Sequence, residues 1–250
     1  MSFSYEELAE IRHYIHQHPE LSGQEYQTTA FLRERLEELG IRILESGLKT
    51  GLIAEIGSGQ PVVALRADID ALPILEQTNL PYQSQHPGVM HACGHDFHQT
   101  SLLGAAALLK EKEDQLEGTI RLIFQPAEEI SEGASDVLAT GLLEDVQGII
   151  GFHNMPQLKA GQLALNAGAM MAGVEKFKVT VTGVSSHAAR PDLGVDTVTA
   201  VTTMVQNVQL LISRTVSPFE TAVLSITHLD VGSTWNVLPK SGYFEGTIRS

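Results

Sequence analysis

The chain has a single cysteine, Cys93, among its 250 residues. One thiol cannot close an internal disulfide, so the fold does not depend on an oxidising compartment. Basic residues are also few: 16 Lys and Arg stand against 30 Asp and Glu, a formal net charge of −14. Such a field repels phosphate backbones and anionic lipid, which argues against nucleic acid or a membrane surface as partner. No apolar run approaches the roughly 18 residues of a membrane span. The acidic start, residues 1–7, lacks the apolar stretch of a secretory leader. The sequence therefore reads as a cytoplasmic protein. Core material is ample, since 43% of residues are hydrophobic and 18% charged, enough for one or two domains.

Leu8, Ile11 and Ile15 recur at spacings of three and four, which predicts an amphipathic helix ending before Pro19. Ser22 and Glu25 have the spacing of a capping box for a second helix, which would bury Phe31, Leu32, Leu36 and Leu39 and stop at Gly40. Strands are expected over 51–56 and 62–65, a helix over 97–112 and a strand over 119–124. A short helix over 134–140 and a strand over 148–152 follow. This alternation predicts an α/β domain with a largely parallel sheet and helices on both faces. The texture changes after about residue 171. Phe177, Val179 and Val181 alternate with polar residues, a long helix is expected over 196–214, and strands over 222–229 and 242–249. A helix packed on an antiparallel sheet fits this part, giving domains 1–171 and 172–250. The last strand runs to the end of the sequence, as in a chain that has been cut.

The chemistry-bearing residues gather after the strands. The strand ending at Leu65 delivers Arg66-Ala67-Asp68-Ile69-Asp70, and a turn delivers His91-Ala92-Cys93-Gly94-His95-Asp96-Phe97-His98. The strand ending at Phe124 delivers Gln125-Pro126-Ala127-Glu128-Glu129, and the one ending at Phe152 delivers His153-Asn154-Met155-Pro156. Singly, each has a plainer reading: turn-forming aspartates, a small buried thiol, a solvated Glu-Glu pair, a core histidine. Four such clusters at the edge where open α/β sheets hold ligands point instead to metal coordination. Zinc takes thiolate, imidazole and carboxylate together, and an adjacent acid can serve as general base for water. Neighbouring glutamates suit that division of labour, because successive side chains point different ways. A Cys93–His95 nucleophile pair is the competing reading, but nothing supplies an obvious orienting third group.

In order along the chain stand His16-Gln17-His18-Pro19-Glu20-Leu21-Ser22, Arg66-Ala67-Asp68-Ile69-Asp70-Ala71-Leu72-Pro73, His91-Ala92-Cys93-Gly94-His95-Asp96, Gln125-Pro126-Ala127-Glu128-Glu129, Ser186-His187-Ala188-Ala189-Arg190-Pro191 and Asn236-Val237-Leu238-Pro239. Together they resemble the N-acyl-amino-acid amidohydrolases, which include aminoacylases, hippurate hydrolases, N-acetyldiaminopimelate deacetylases and auxin-conjugate hydrolases. The resemblance implies two divalent ions (zinc, manganese, cobalt or nickel) held by Cys93, His95, Glu129 and His153, with Cys93 as the bridge. It implies Glu128 as general base, Asp68 and Asp70 as carboxylates behind the ligands, and an inserted α+β lid that dimerises. His187 would stabilise the oxyanion, in its own or a partner's site, while Asn236 and Arg249 would grip the carboxylate of a small N-acyl amino acid. Members of the family run on for a further hundred residues or more and take a last His ligand from there. With Cys93 counted twice, the ligands here come to five where two ions need about six. A metal-binding or dimerising fragment without full activity, and an exopeptidase acting on dipeptides, are the alternatives.

Overall fold

In the computed structural model, which describes residues 3–250, Ser4 caps the first helix, α1 (Tyr5–Gln17). Its hydroxyl accepts from the Glu7 amide while the Glu7 carboxylate accepts from the Ser4 amide, so the capping box of this chain sits here. The second helix, α2 (Tyr26–Glu38), buries Leu32 and Leu36, with Phe31 and Leu39 partly covered. The capping box expected from Ser22 and Glu25 does not form. Both side chains instead satisfy charged or buried groups of neighbouring turns, which outweighs capping a helix at the surface.

A three-residue strand, β1 (Arg42–Leu44), is too short to show in the periodicity and pairs antiparallel with β2 (Leu52–Ser58). After β3 (Val62–Asp68) come α3 (His95–Lys110), β4 (Gly118–Gln125), α4 (Gly133–Ala139) and β5 (Val146–Gly151). The sheet order is β1-β2-β4-β3-β5, with β4 antiparallel to β2 but parallel to β3, and β5 parallel to β3. The sheet is thus mixed, not largely parallel. The cause is connection length: the links leaving β1 and β2 are too short for the crossover a parallel neighbour needs, so they reverse the chain. The segments carrying α3 and α4 are long enough to return it parallel.

Side chains alternate across this sheet. Leu52, Ala54, Leu122 and Phe124 face Ile11 and Ile15 of α1, Leu32 and Leu36 of α2, and Leu102, Leu103 and Ala106 of α3. Ile53, Ala64 and Ile123 face Val137 of α4. Helices therefore cover both faces, one heavily and one lightly. Each fully buried Leu, Ile or Phe contributes about 1.5–3 kcal/mol.

The chain divides into two compact units, the first ending at Lys159 and the second beginning at Ala160. The second holds β6 (Val174–Thr182), β7 (Ser186–His187), α5 (Thr197–Val208), α6 (Leu210–Thr215), β8 (Val223–Val231), β9 (Val237–Leu238) and β10 (Ser241–Arg249). β10 lies between β6 and β8, antiparallel to both, and β7 pairs with β9. Asp196 caps α5 by accepting from the Thr199 amide. The single helix expected over 196–214 divides at Gln209. Among the described residues, no helix is long and apolar enough to cross a membrane.

Candidate metal centre

Because β3, β4 and β5 run parallel, their C-terminal ends share one edge of the sheet, and the clusters that follow them meet there. The fourth cluster arrives with α3, which starts two residues earlier than the periodicity predicts and so makes His95 its first residue. Gly94, at the helix N-cap, has φ +89°, a conformation open to glycine and strained for other residues. A β-carbon there would also fall 2.7 Å from Asn154 Cγ. Potential ligand atoms of Cys93, His95 and His153 lie within 4.8 Å of one another, as do those of His95, Glu128 and Glu129, and of Asp68, His95 and His98. His95 is common to all three sets.

Asp70 organises the buried side of the cluster. It is 1% exposed. One carboxylate oxygen lies 3.2 Å from His95 Nδ1, and the other accepts from the Ser22 hydroxyl at 2.7 Å and the Glu129 amide at 2.9 Å. Burial alone would push its carboxyl up, but bonds from His95, Glu129 and Ser22 outweigh that and hold it below the usual range. The Asp70 carbonyl also faces His95 Nδ1, at 2.9 Å. With the Nδ1 proton donated backward, Nε2 presents its lone pair forward. That nitrogen is buried, has no hydrogen-bond partner among the described residues, and sits 3.8 Å from Glu129 Oε1 and 3.9 Å from Asp68 Oδ2. Glu129 Oε1 is likewise buried without a partner. Two facing acceptors left unsatisfied are costly unless a cation joins them, so the residues present fit a metal ion.

The adjacent glutamates differ as the division of labour requires. The Glu129 side chain is 19% exposed and the Glu128 side chain 41%, with Glu128 Oε2 4.0 Å from His95 Nε2. Partial burial, then Asp68 and Glu129 nearby, push the Glu128 carboxyl above its ordinary value, the direction that suits a base working near neutrality. The turn that presents them is strained: Ala127 has φ +51°. It is held there by Glu25, fully buried, which accepts from the Ala127 amide at 2.8 Å and the Thr50 hydroxyl at 2.8 Å. Ser22 and Glu25 are thus supports of the site that the sequence disguises as a helix cap. Arg66 adds a third support, donating to Asp68 and to Gln125.

Burial and the carboxylates of Glu129, Glu128 and Asp68 push the Cys93 thiol up to about 12. That is opposite to the shift of an activated nucleophile. Cys93 Sγ lies 3.3 Å from His153 Nε2. The structure therefore brings Cys93, His95, Glu128, Glu129 and His153 together, with Asp68 and Asp70 behind them. His187, Asn236 and Arg249 belong to the second unit. His187 and Asn236 are neighbours, because the Ala188 amide donates to the Asn236 carbonyl. Arg249 closes β10 at the end opposite Ser241, a strand roughly 27 Å long at about 3.4 Å per residue.

A mixed α/β sheet that gathers a thiol, two imidazoles and two carboxylates at the ends of its parallel strands defines a metal-binding α/β protein. Residues 64–231 match the family described as Peptidase family M20/M25/M40, and the chain belongs to that family. It is 49% identical over 246 residues to an N-acetyl-L-cysteine deacetylase of Bacillus subtilis, covering 98% of this chain and 59% of that protein. It is 40% identical over 242 residues to an N-acyl-L-amino acid amidohydrolase of Geobacillus stearothermophilus, covering 96% and 65%. A solved structure from Bacillus subtilis, described as a dinuclear metal-binding peptidase of the M20 family, superposes with a TM-score of 0.81 at 44% identity, covering 97% of this chain and 63% of that one. The chain thus spans about three fifths of the length of these relatives.

Proposed function

We propose that the chain carries the catalytic centre of a metal-dependent amidohydrolase that splits N-acyl amino acids into a carboxylic acid and a free amino acid. The observation that carries this reading is the pair of unpartnered buried atoms, His95 Nε2 and Glu129 Oε1, beside a Glu128 carboxylate that reaches solvent. Cys93, His95, Glu129 and His153 would hold two divalent ions. When bound, such ions lower the pKa of water and polarise an acyl carbonyl. Thiolate and imidazole suit zinc, and the carboxylate admits manganese, cobalt or nickel.

Glu128 takes the proton from the attacking water and passes it to the leaving nitrogen, the role its exposure and raised pKa support. Asp70 keeps His95 in the tautomer that points Nε2 forward. From the second unit, His187 stabilises the oxyanion while Asn236 and Arg249 grip the substrate carboxylate, for which the planar guanidinium is suited. The reading includes a homodimer through the second unit, with His187 serving its own or the partner's site. A cytoplasmic location belongs to the same reading.

The test is hydrolysis of N-acetyl-methionine and hippurate after loading with zinc or manganese, alongside Glu128→Gln. Turnover that falls about 10²- to 10⁴-fold in the variant, with metal content unchanged, is the expected result. Full metal loading with no turnover on any N-acyl amino acid or dipeptide overturns the reading.

A further inference from the structure

His153 is delivered by β5, an edge strand paired with β3 alone among the described residues. Ile149 and Ile150 on it are 57% and 66% exposed. Beyond Gly151 the Phe152 ring meets Phe97 and His98 of α3 edge-on, at 5.6 and 5.3 Å between centroids, and the His153 ring is itself exposed. Its Nδ1 lies 2.8 Å from the Asn154 carbonyl, a local bond that selects the tautomer without fixing the ring against α3. Yet Nε2 stands 3.3 Å from Cys93 Sγ. Ring packing of Phe152 is not directional, so a polar contact is needed to set that separation.

The following residue makes that contact. The Asn154 side chain occupies the space that the missing β-carbon of Gly94 leaves open. Its amide oxygen is 2.7 Å from His98 Nε2, and its backbone N–H is 3.2 Å from the same nitrogen. His98 sits in the first turn of α3, one turn from His95, with its side chain 1% exposed. Its ring centroid is 4.6 Å from that of His153 and 5.2 Å from that of His95. The other nitrogen, Nδ1, has no hydrogen-bond partner among the described residues; Asp68 Oδ2 is 3.8 Å away, beyond bonding range.

We propose that His98 is a positioning residue which, through Asn154, clasps the end of β5 onto the start of α3 and so sets the separation of Cys93 and His153. The proposal rests on the reading of those two residues as metal ligands. It assigns the work to Nε2. Gln at position 98 keeps a polar group where Nε2 lies, whereas Asn keeps one where Nδ1 lies, so the two variants separate the nitrogens at equal polarity.

The experiment titrates the metal-free chain with cobalt(II) and with zinc(II), reading stoichiometry, affinity and the thiolate-to-cobalt absorption that Cys93 gives. His153→Ala and Glu129→Ala identify which ion each ligand holds. The expected result is that His98→Asn weakens the His153-dependent ion by about 10- to 100-fold, the range for groups behind a ligand, while His98→Gln stays within about threefold of the parent. The Glu129-dependent ion keeps its affinity in both. Two ions bound as in the parent by His98→Asn, or equal losses in the Asn and Gln variants, overturn the clasp while leaving the ligands standing. A parent chain that binds no ion, or that is indifferent to His153→Ala, overturns the ligand reading and the clasp with it.

Discussion

The two units bury different kinds of residue. In the first, His16, Glu25, Asp68, Asp70, His91, His95, Asp96, His98 and Gln99 are all buried; in the second, Thr197 is the buried polar residue among those described. The second unit is built on alternation, with Phe244 inside and its lysines and glutamates outside. The first is built around hydrogen bonds that cross between elements, and its apolar core lies beside them. The contrast shows where stability and chemistry are coupled. Removing a polar side chain from the first unit should disturb both, whereas in the second the polar residues are solvated and mostly separable from the fold.

The largest effect that would sharpen this contrast is at Asp70. Asp70→Ala strands the Glu129 amide and the Ser22 hydroxyl and leaves His95 Nδ1 only the backbone carbonyl of residue 70, and should cost about 3–5 kcal/mol, at roughly 1–3 kcal/mol for each donor left unpaired. Metal affinity should fall with it, about 100-fold. Chemical denaturation and metal titration check the two losses, and a variant that kept both properties would dissolve the comparison. Glu25→Ala comes next. It leaves the Ala127 amide and the Thr50 hydroxyl buried without partners and should cost about 3 kcal/mol. Because Ala127 precedes Glu128, kcat should drop more than KM rises, which steady-state kinetics would show.

The smallest effect is a pH dependence. His16 is buried between Asp96 and Glu76, at 3.0 and 3.1 Å. The bond to Asp96 raises its pKa above the ordinary 6.5, burial opposes this, and Glu76 adds to the rise. A folded value above the unfolded one means the stabilisation is complete below pH 6.5 and is lost as pH climbs through the folded value. The urea midpoint should therefore fall above pH 6.5 in the parent and fall less in His16→Gln; parallel curves would remove His16 from the account.

Much of the site was legible because its residues are chemically unusual for strand ends. Cys93, His95, Glu128, Glu129 and His153 stand out from their neighbours, and the structure draws them together. The supports were not legible. Glu25 has the spacing of a cap and is a buried acceptor instead, and nothing local distinguishes the two, since its partners come from 25 and 102 residues away. His98 lies on a helix face where a core histidine is the ordinary reading. In the fold, alternating elements announced α/β but not the antiparallel half of the sheet, because strand direction is set by link length and by β1, three residues long. The second unit was easier, as its half-exposed strands carry the period of two directly.

The outer side of β5 has a consequence of another kind. Val146–Gly151 carries no charge and no proline, and its far edge bears amide and carbonyl groups that no neighbouring strand in this sheet satisfies. A strand of that composition at an open edge is a template for adding another strand, from the same chain or from a stranger. Asp145 immediately before it and His153 just beyond it are checks on such growth. A metal ion held by the His153 ring would strengthen one of these checks by pinning the strand's end.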